Sequence, residues 1–168
     1  MSGFINGNQD SCHLYPAIEL FAKLSFAVGA ADFAEKEFAK MTQSKWPEMI
    51  LRGHFYRGQA LNALGKYDES KQEFDAILAS PDNDDMTQQN QLLAKTQLAK
   101  TMALSGQHAE AIPLINEIIK VENPDNSQLF AYTYNSLGTC HLQAGNLNEA
   151  ALAFLHTELL FANEAEPH

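Results

Sequence analysis

Cationic residues are scarce in this chain. Eleven lysines and arginines stand against 21 aspartates and glutamates over 168 residues, a formal net charge of −10. That balance disfavours nucleic acid and anionic membrane surfaces as partners, and it favours solubility or basic ligands. Cysteine is scarcer still. Cys12 and Cys140 are the only two, too few for a disulfide framework, and their use fits a reducing cytoplasm. No apolar run reaches the roughly 18 residues that a membrane-spanning helix needs. The opening MSGFINGNQD has neither basic residues nor an apolar core, which argues against an export signal. Glycines occur singly, so there is no phosphate-binding loop, and HExxH and CxxC are both absent. What remains is enough for a core: 45% of residues are apolar and only 19% charged, over a length that suits one ordinary domain.

The pattern that is present is a recurrence of small and large residues. It is clearest in residues 131–164, AYTYNSLGTCHLQAGNLNEAALAFLHTELLFANE. One amphipathic run ends at Gly145 and another begins after Asn146. Tyr134, Leu137, His141 and Ala144 share a face of the first, with Gly138 beside them, and Ala150 and Phe154 supply the matching seam. Gly138 and Ala150 permit a close helix crossing while Leu137 and Phe154 fill the space between. This spacing resembles the tetratricopeptide repeat (TPR): an aromatic, Leu-Gly, a further large residue, a turn glycine, then Ala and Phe. Placing Gly106, Gly65 and Gly29 in register with Gly145 brings out earlier units that begin near Leu92, Leu51 and Tyr15. Their separations exceed the usual period of about 34, and the surplus falls in Pro- and Asp-rich stretches between units.

The resemblance implies an all-α fold, an α-α superhelix in the form of a right-handed solenoid of about eight antiparallel helices. Residues 1–12 read as a flexible tail, residues 13–164 as the repeat domain, with units near 15–46, 51–84, 92–125 and 131–164, and residues 165–168 as a second tail. Expected helices run over Pro16–Val28, Asp32–Met41, Pro47 to about Leu64, from Tyr67 to Ser80-Pro81, and from about Met86 to Ser105. Pro113 lies early enough in the sixth helix to bend rather than break it. Asp82 to Asp85 reads as a cap for the fifth helix. Asp125 or Ser127 is expected to cap the seventh, and Asn146 with Glu149 to start the eighth.

Signals for catalysis are weak. Cys12-His13 and Cys140-His141 could supply four zinc ligands, but they lie at opposite ends of a stack, and Cys140 and His141 read better as packing residues. Asp82, Asp84 and Asp85 lack the glycine and terminal glutamate of a calcium loop. Glu35, Glu37, Glu117 and Glu122 read as wet outer faces. No catalytic residue, metal or cofactor is expected, and the chain reads as a non-enzyme.

The resemblance instead points to protein binding, because the first helix of each TPR hairpin lines a concave groove that takes extended peptides. The places carried over are Glu19, Lys23 and Phe26, then Arg52, Tyr56, Gln59 and Asn62, then Gln97 and Lys100, and finally Tyr132, Asn135, Ser136, Thr139 and Gln143. The expected groove set is Arg52, Tyr56, Gln59, Asn62, Lys100, Tyr132, Asn135, Thr139 and Gln143. Donors, acceptors and tyrosines there suit a peptide backbone and its side chains. The clamp by which some TPR proteins hold an EEVD carboxylate is not expected, since Glu19, Lys23, Tyr56, Thr96 and Gln97 occupy its places. The ends are broadly apolar: Ile18, Leu20, Phe21, Leu24, Phe26 and Val28 in the first helix, and Leu147, Leu152, Phe154, Leu155, Leu159, Leu160 and Phe161 in the last. Either the chain is an excised part of a longer protein or an end helix self-associates, with Leu152, Leu155, Leu159 and Leu160 as the dimer face. The leading reading is a cytoplasmic adaptor for a peptide or protein segment. The alternative is an assembly module that homo-oligomerises through its terminal helices.

Overall fold

A computed structural model describes residues 13–81, 85–121 and 126–165, with Gln128 and residues 160–165 described in backbone only. All the regular structure among these residues is helical: α1 (Leu14–Ala27), α2 (Ala31–Met41), α3 (Pro47–Ala63), α4 (Tyr67–Leu78), α5 (Asp85–Leu104), α6 (His108–Val121), α7 (Ser127–Gln143) and α8 (Leu147–Ala165). The chain divides into two units, Met1–Ser80 and Pro81–His168. Helices α1 to α4 make the first as two hairpins, and α5 to α8 make the second. Residues 1–12, 82–84, 122–125 and 166–168 lie outside the described residues, and with them Cys12, the Asp82–Asp84 part of the expected cap, and Asp125.

The hairpins close in one way because glycine stands at one place. Gly29, Gly65, Gly106 and Gly145 have φ of 86°, 72°, 94° and 79°, a region costly for any residue with a Cβ. After each, the next N–H reaches back into the helix: Ala30 to the Ser25 carbonyl (2.9 Å), Lys66 to Leu61 (2.9 Å), Gln107 to Met102 (2.8 Å) and Asn146 to His141 (2.9 Å). These are Schellman ends, which satisfy helix carbonyls that would otherwise be orphaned. All four turn glycines therefore do what the repeat register assigns to them.

Within the first unit α1 packs on α2, α2 on α3 and α3 on α4. The core holds Leu14, Ile18, Ala22, Ala34, Phe38, Met41 and Ala60, with Leu61, Phe74 and Ile77 also buried. Gly58 allows the approach of α4, because a Cβ there would lie 2.6 Å from the Phe74 ring. Ser70, where an alanine is the repeat's norm, is fully buried. Its Oγ donates to the Gly58 carbonyl at 2.9 Å, so the hydroxyl is satisfied at the closest point of the crossing.

The second unit repeats the scheme with α5 against α6 and α7, and α7 against α8. Ala99, Ala103, Ala111, Ile115, Leu137, Cys140 and Ala153 form its core. Gly138 faces Phe154, whose ring would lie 2.6 Å from an added Cβ. The α5–α7 seam is more polar than its spacing suggested. Thr96 and Thr133 are fully buried with their hydroxyls 3.4 Å apart, and each also donates to the carbonyl one turn back, Leu92 and Leu129. Pro113 sits inside a continuous α6. The N-cap of α7 is Asn126 and not Ser127: the Asn126 side-chain oxygen accepts from the Leu129 N–H at 3.0 Å.

Cys140 is fully buried, and its thiol makes a weak donor contact to the Ala99 carbonyl at 3.8 Å. Burial pushes the thiol up to about 11, against a smaller opposing effect of Lys100. Because the thiolate is the reactive form, a Cys12→Ser chain should react with an aromatic disulfide at pH 8 about a hundredfold more slowly when native than when unfolded in urea. Equal rates would contradict this packing. The sign for stability follows: the folded state holds the proton more tightly, so the contribution is complete below the ordinary value of 9.0 and is lost as pH rises through about 11.

Candidate binding surface

In the first unit the groove places fall on α1 and α3, and their charges are already spent on each other. Glu19 is 5% exposed. Its Oε1 takes Arg52 Nη2 from α3 at 2.5 Å and Lys23 Nζ from its own helix at 2.5 Å. Arg52 Nη1 also reaches Glu48 at 3.3 Å. The Lys23 ammonium stands 4.1 Å from the centroid of the Tyr56 ring, which stacks on Phe38 at 5.3 Å. Burial works against the charge on Lys23 and on Arg52. For Lys23 the Glu19 carboxylate and Tyr56 together, and for Arg52 Glu19 with Glu48 and Tyr56, outweigh it and hold the cation above its ordinary range. Glu19 is thus a buried anchor for two cations, not an open acid in a groove. Gln59 and Asn62 are half-buried further along α3.

The other side of α3 carries a second ion group. Arg57 Nε meets Glu35 of α2 at 2.7 Å, and its Nη1 meets Glu73 of α4 at 2.8 Å, while His54 Nδ1 lies 2.8 Å from the same Glu73. Burial opposes the Arg57 charge, but the carboxylates of Glu35 and Glu73 outweigh it and raise the guanidinium. Glu37 is buried as well, held by Lys40 at 2.5 Å. Glu35 and Glu37 are therefore structural, where the sequence pattern placed them on a wet face.

In the second unit the places on α7 differ in exposure, and Ser136 is fully buried. Asn135 and Gln143 are exposed, Tyr132 and Thr139 half-buried, and the Thr139 hydroxyl donates to the Asn135 carbonyl at 3.0 Å. Gln97 and Thr96 on α5 are buried. Lys100 on the same helix is half-buried, and no carboxylate among the described residues pairs with it. Desolvation lowers its ammonium, with the neighbouring Cys140 acting the other way. One turn before Cys140 on α7, the Ser136 Oγ is buried without a hydrogen-bond partner among the described residues. His141 is half-buried at 3.4 Å from the Asn146 amide. No cluster of three or more metal-ligating side chains occurs among the described residues.

Two further surfaces stand out. On α8, Leu152, Leu155 and Leu159 are 60%, 52% and 55% exposed; the Leu160 side chain lies outside the described residues. At the N-terminal ends of α1 and α3, Tyr15, Pro16, Trp46, Pro47, Glu48 and Met49 line a cavity of about 390 Å³. The groove places leave this cavity out, since Trp46 lies before the first helix of its unit. Its one legible signal was a lone tryptophan joined to a helix-starting proline.

The repeat geometry is matched by a solved structure. The crystal structure of nearly identical TPR-like repeats from a Podosopora anserina protein assigned to the kinesin light chains superposes at a TM-score of 0.58, covering 99% of this chain and 86% of that one, at 17% identity. The chain has a TPR-like fold. No family model matches it, and no curated protein does. At that identity the likeness is one of fold alone. No helix among the described residues is long and apolar enough to cross a membrane.

Proposed function

We propose that this TPR-like chain is a non-enzymatic interaction module that holds an extended peptide or protein segment against the first helices of its hairpins. One observation carries the reading: the half-buried Lys100, with no carboxylate partner among the described residues, interacts with Cys140 of α7, and that helix also carries the unpartnered Ser136 hydroxyl one turn earlier and the exposed Asn135 and Gln143. An unpaired, partly desolvated ammonium costs stability and is kept where a ligand oxygen completes it. In the first unit Arg52 and Tyr56 keep their place in the reading chiefly as a preformed, self-neutralised wall with Gln59 and Asn62 beside it. Peptides selected from a random library on the wild-type chain should lose about tenfold in affinity with Lys100→Met and again with Asn135→Ala. Far-UV circular dichroism should stay unchanged for both. Binders indifferent to both substitutions would place the ligand elsewhere.

The exposed leucines of α8 favour a second reading, self-assembly through this helix. On that reading the chain sediments as a concentration-dependent dimer, and Leu155→Glu with Leu159→Glu returns it to monomer with its helicity intact. A wild-type chain that stays monomeric to high concentration would dispose of it.

A further inference from the structure

The cavity in the first unit is lined by an open side chain carried on a hydrogen-bonded backbone. Trp46 is the chain's single tryptophan and is 51% exposed. Its backbone is extended (φ −101°, ψ 115°), as a residue before proline prefers, and Pro47 starts α3. Its N–H donates to the Oγ of the buried Ser44 at 3.1 Å. The indole is therefore presented from a pinned backbone, the condition under which an aromatic anchor binds at low entropic cost.

The walls specify the occupant. Tyr15, Pro16, Pro47 and Met49 make them apolar and aromatic, and the volume lies at the low end of the roughly 300–1,000 Å³ of small-ligand sites. Two groups supply charge at the rim. The Lys45 ammonium stands 5.3 Å from the Trp46 ring centroid, so the indole face already accommodates a cation. Glu48 projects a half-exposed carboxylate that accepts from Arg52 Nη1 at a long 3.3 Å. A guanidinium matches both best: its plane stacks on indole while its fork meets a carboxylate with two donors, whereas an ammonium, as Lys23 shows between Glu19 and Tyr56, serves only as a point charge. The net charge of −10 draws a cationic segment and repels an acidic one.

We infer that this cavity is a docking site for an extended, proline-containing segment of a partner protein, with an arginine beside the proline. The proline ring enters between Tyr15, Pro16 and Met49. The arginine displaces Lys45 from the Trp46 face and pairs with Glu48. A polyproline II conformation suits an aromatic-lined recess because little order remains to be imposed on binding.

The probe is the capped pentapeptide Pro-Pro-Arg-Pro-Pro, titrated into the full chain while tryptophan emission is read with excitation at 295 nm. With one tryptophan, every change in that signal arises at the site. A saturable shift is expected, about tenfold weaker for Glu48→Gln and for a peptide with glutamate in place of arginine. Replacing the prolines by alanine should weaken it similarly. Asn135→Ala should leave all of these constants unchanged, so failure here and failure of the groove reading can be told apart. No saturable change at millimolar peptide, or one indifferent to the arginine and the prolines, overturns the assignment. The peptide series decides the question even if Glu48→Gln perturbs the start of α3.

Discussion

Gly53→Ala should destabilise the first unit by about 2 kcal/mol, although alanine is the better helix former by about 1 kcal/mol. A Cβ at position 53 would lie 2.8 Å from the Met41 Cβ, 2.9 Å from the Thr42 nitrogen and 3.0 Å from the Met41 carbonyl carbon. Two of those three atoms belong to the backbone at the end of α2, so relief requires the helices to separate. Gly58→Ala meets the ring of Phe74, a side chain but a fully buried one. Gly138→Ala meets Phe154, which is only half-buried and can swing outward. The expected order of damage is therefore position 53, then 58, then 138. Urea midpoints followed by circular dichroism would rank them, and a Gly53→Ala chain as stable as wild type would mean that α2 and α3 are not this close.

Arg57→Leu should be at least as damaging, at about 2–3 kcal/mol, because it leaves Glu35 and Glu73 partly buried without their shared cation. Leucine can still cover the apolar stem's contacts, so the loss measures the stranded carboxylates more than missing packing. Arg57→Lys separates the two contributions. An ammonium keeps the charge but cannot present Nε to one carboxylate and Nη1 to the other, so about half the loss should remain. If lysine restores full stability, the bifurcated geometry contributes nothing and charge alone matters. If leucine costs nothing, the group is an ornament of the surface, as many exposed ion pairs are.

What the sequence shows and what it hides divide along a physical line. A turn glycine is a local demand of the backbone, so Gly29, Gly65, Gly106 and Gly145 could be read from spacing alone. The crossings at Gly58 and Gly138 were legible for a related reason: their partners Phe74 and Phe154 recur at a fixed distance along the chain. Gly53 has no such signature, because what crowds it is the end of another helix. Charges were read least well. Glu19, Glu35 and Glu37 look like solvent-facing acids on a helical wheel, and only the folded chain brings Arg52, Arg57 and Lys40 to them. The Trp46 cavity escaped for the same reason, being assembled from the beginnings of two helices that do not adjoin in sequence.

The four turn glycines have one consequence that concerns handedness. An added Cβ at any of them would meet nothing within 4 Å, so the space around these positions is open and only the sign of φ forbids a side chain. A residue of opposite chirality prefers that sign. At these four places the chain is indifferent to what the side chain is and sensitive only to which hand it has. In every hairpin the reversal of direction therefore rests on one achiral link, and the sequences that flank it are left free for packing and binding.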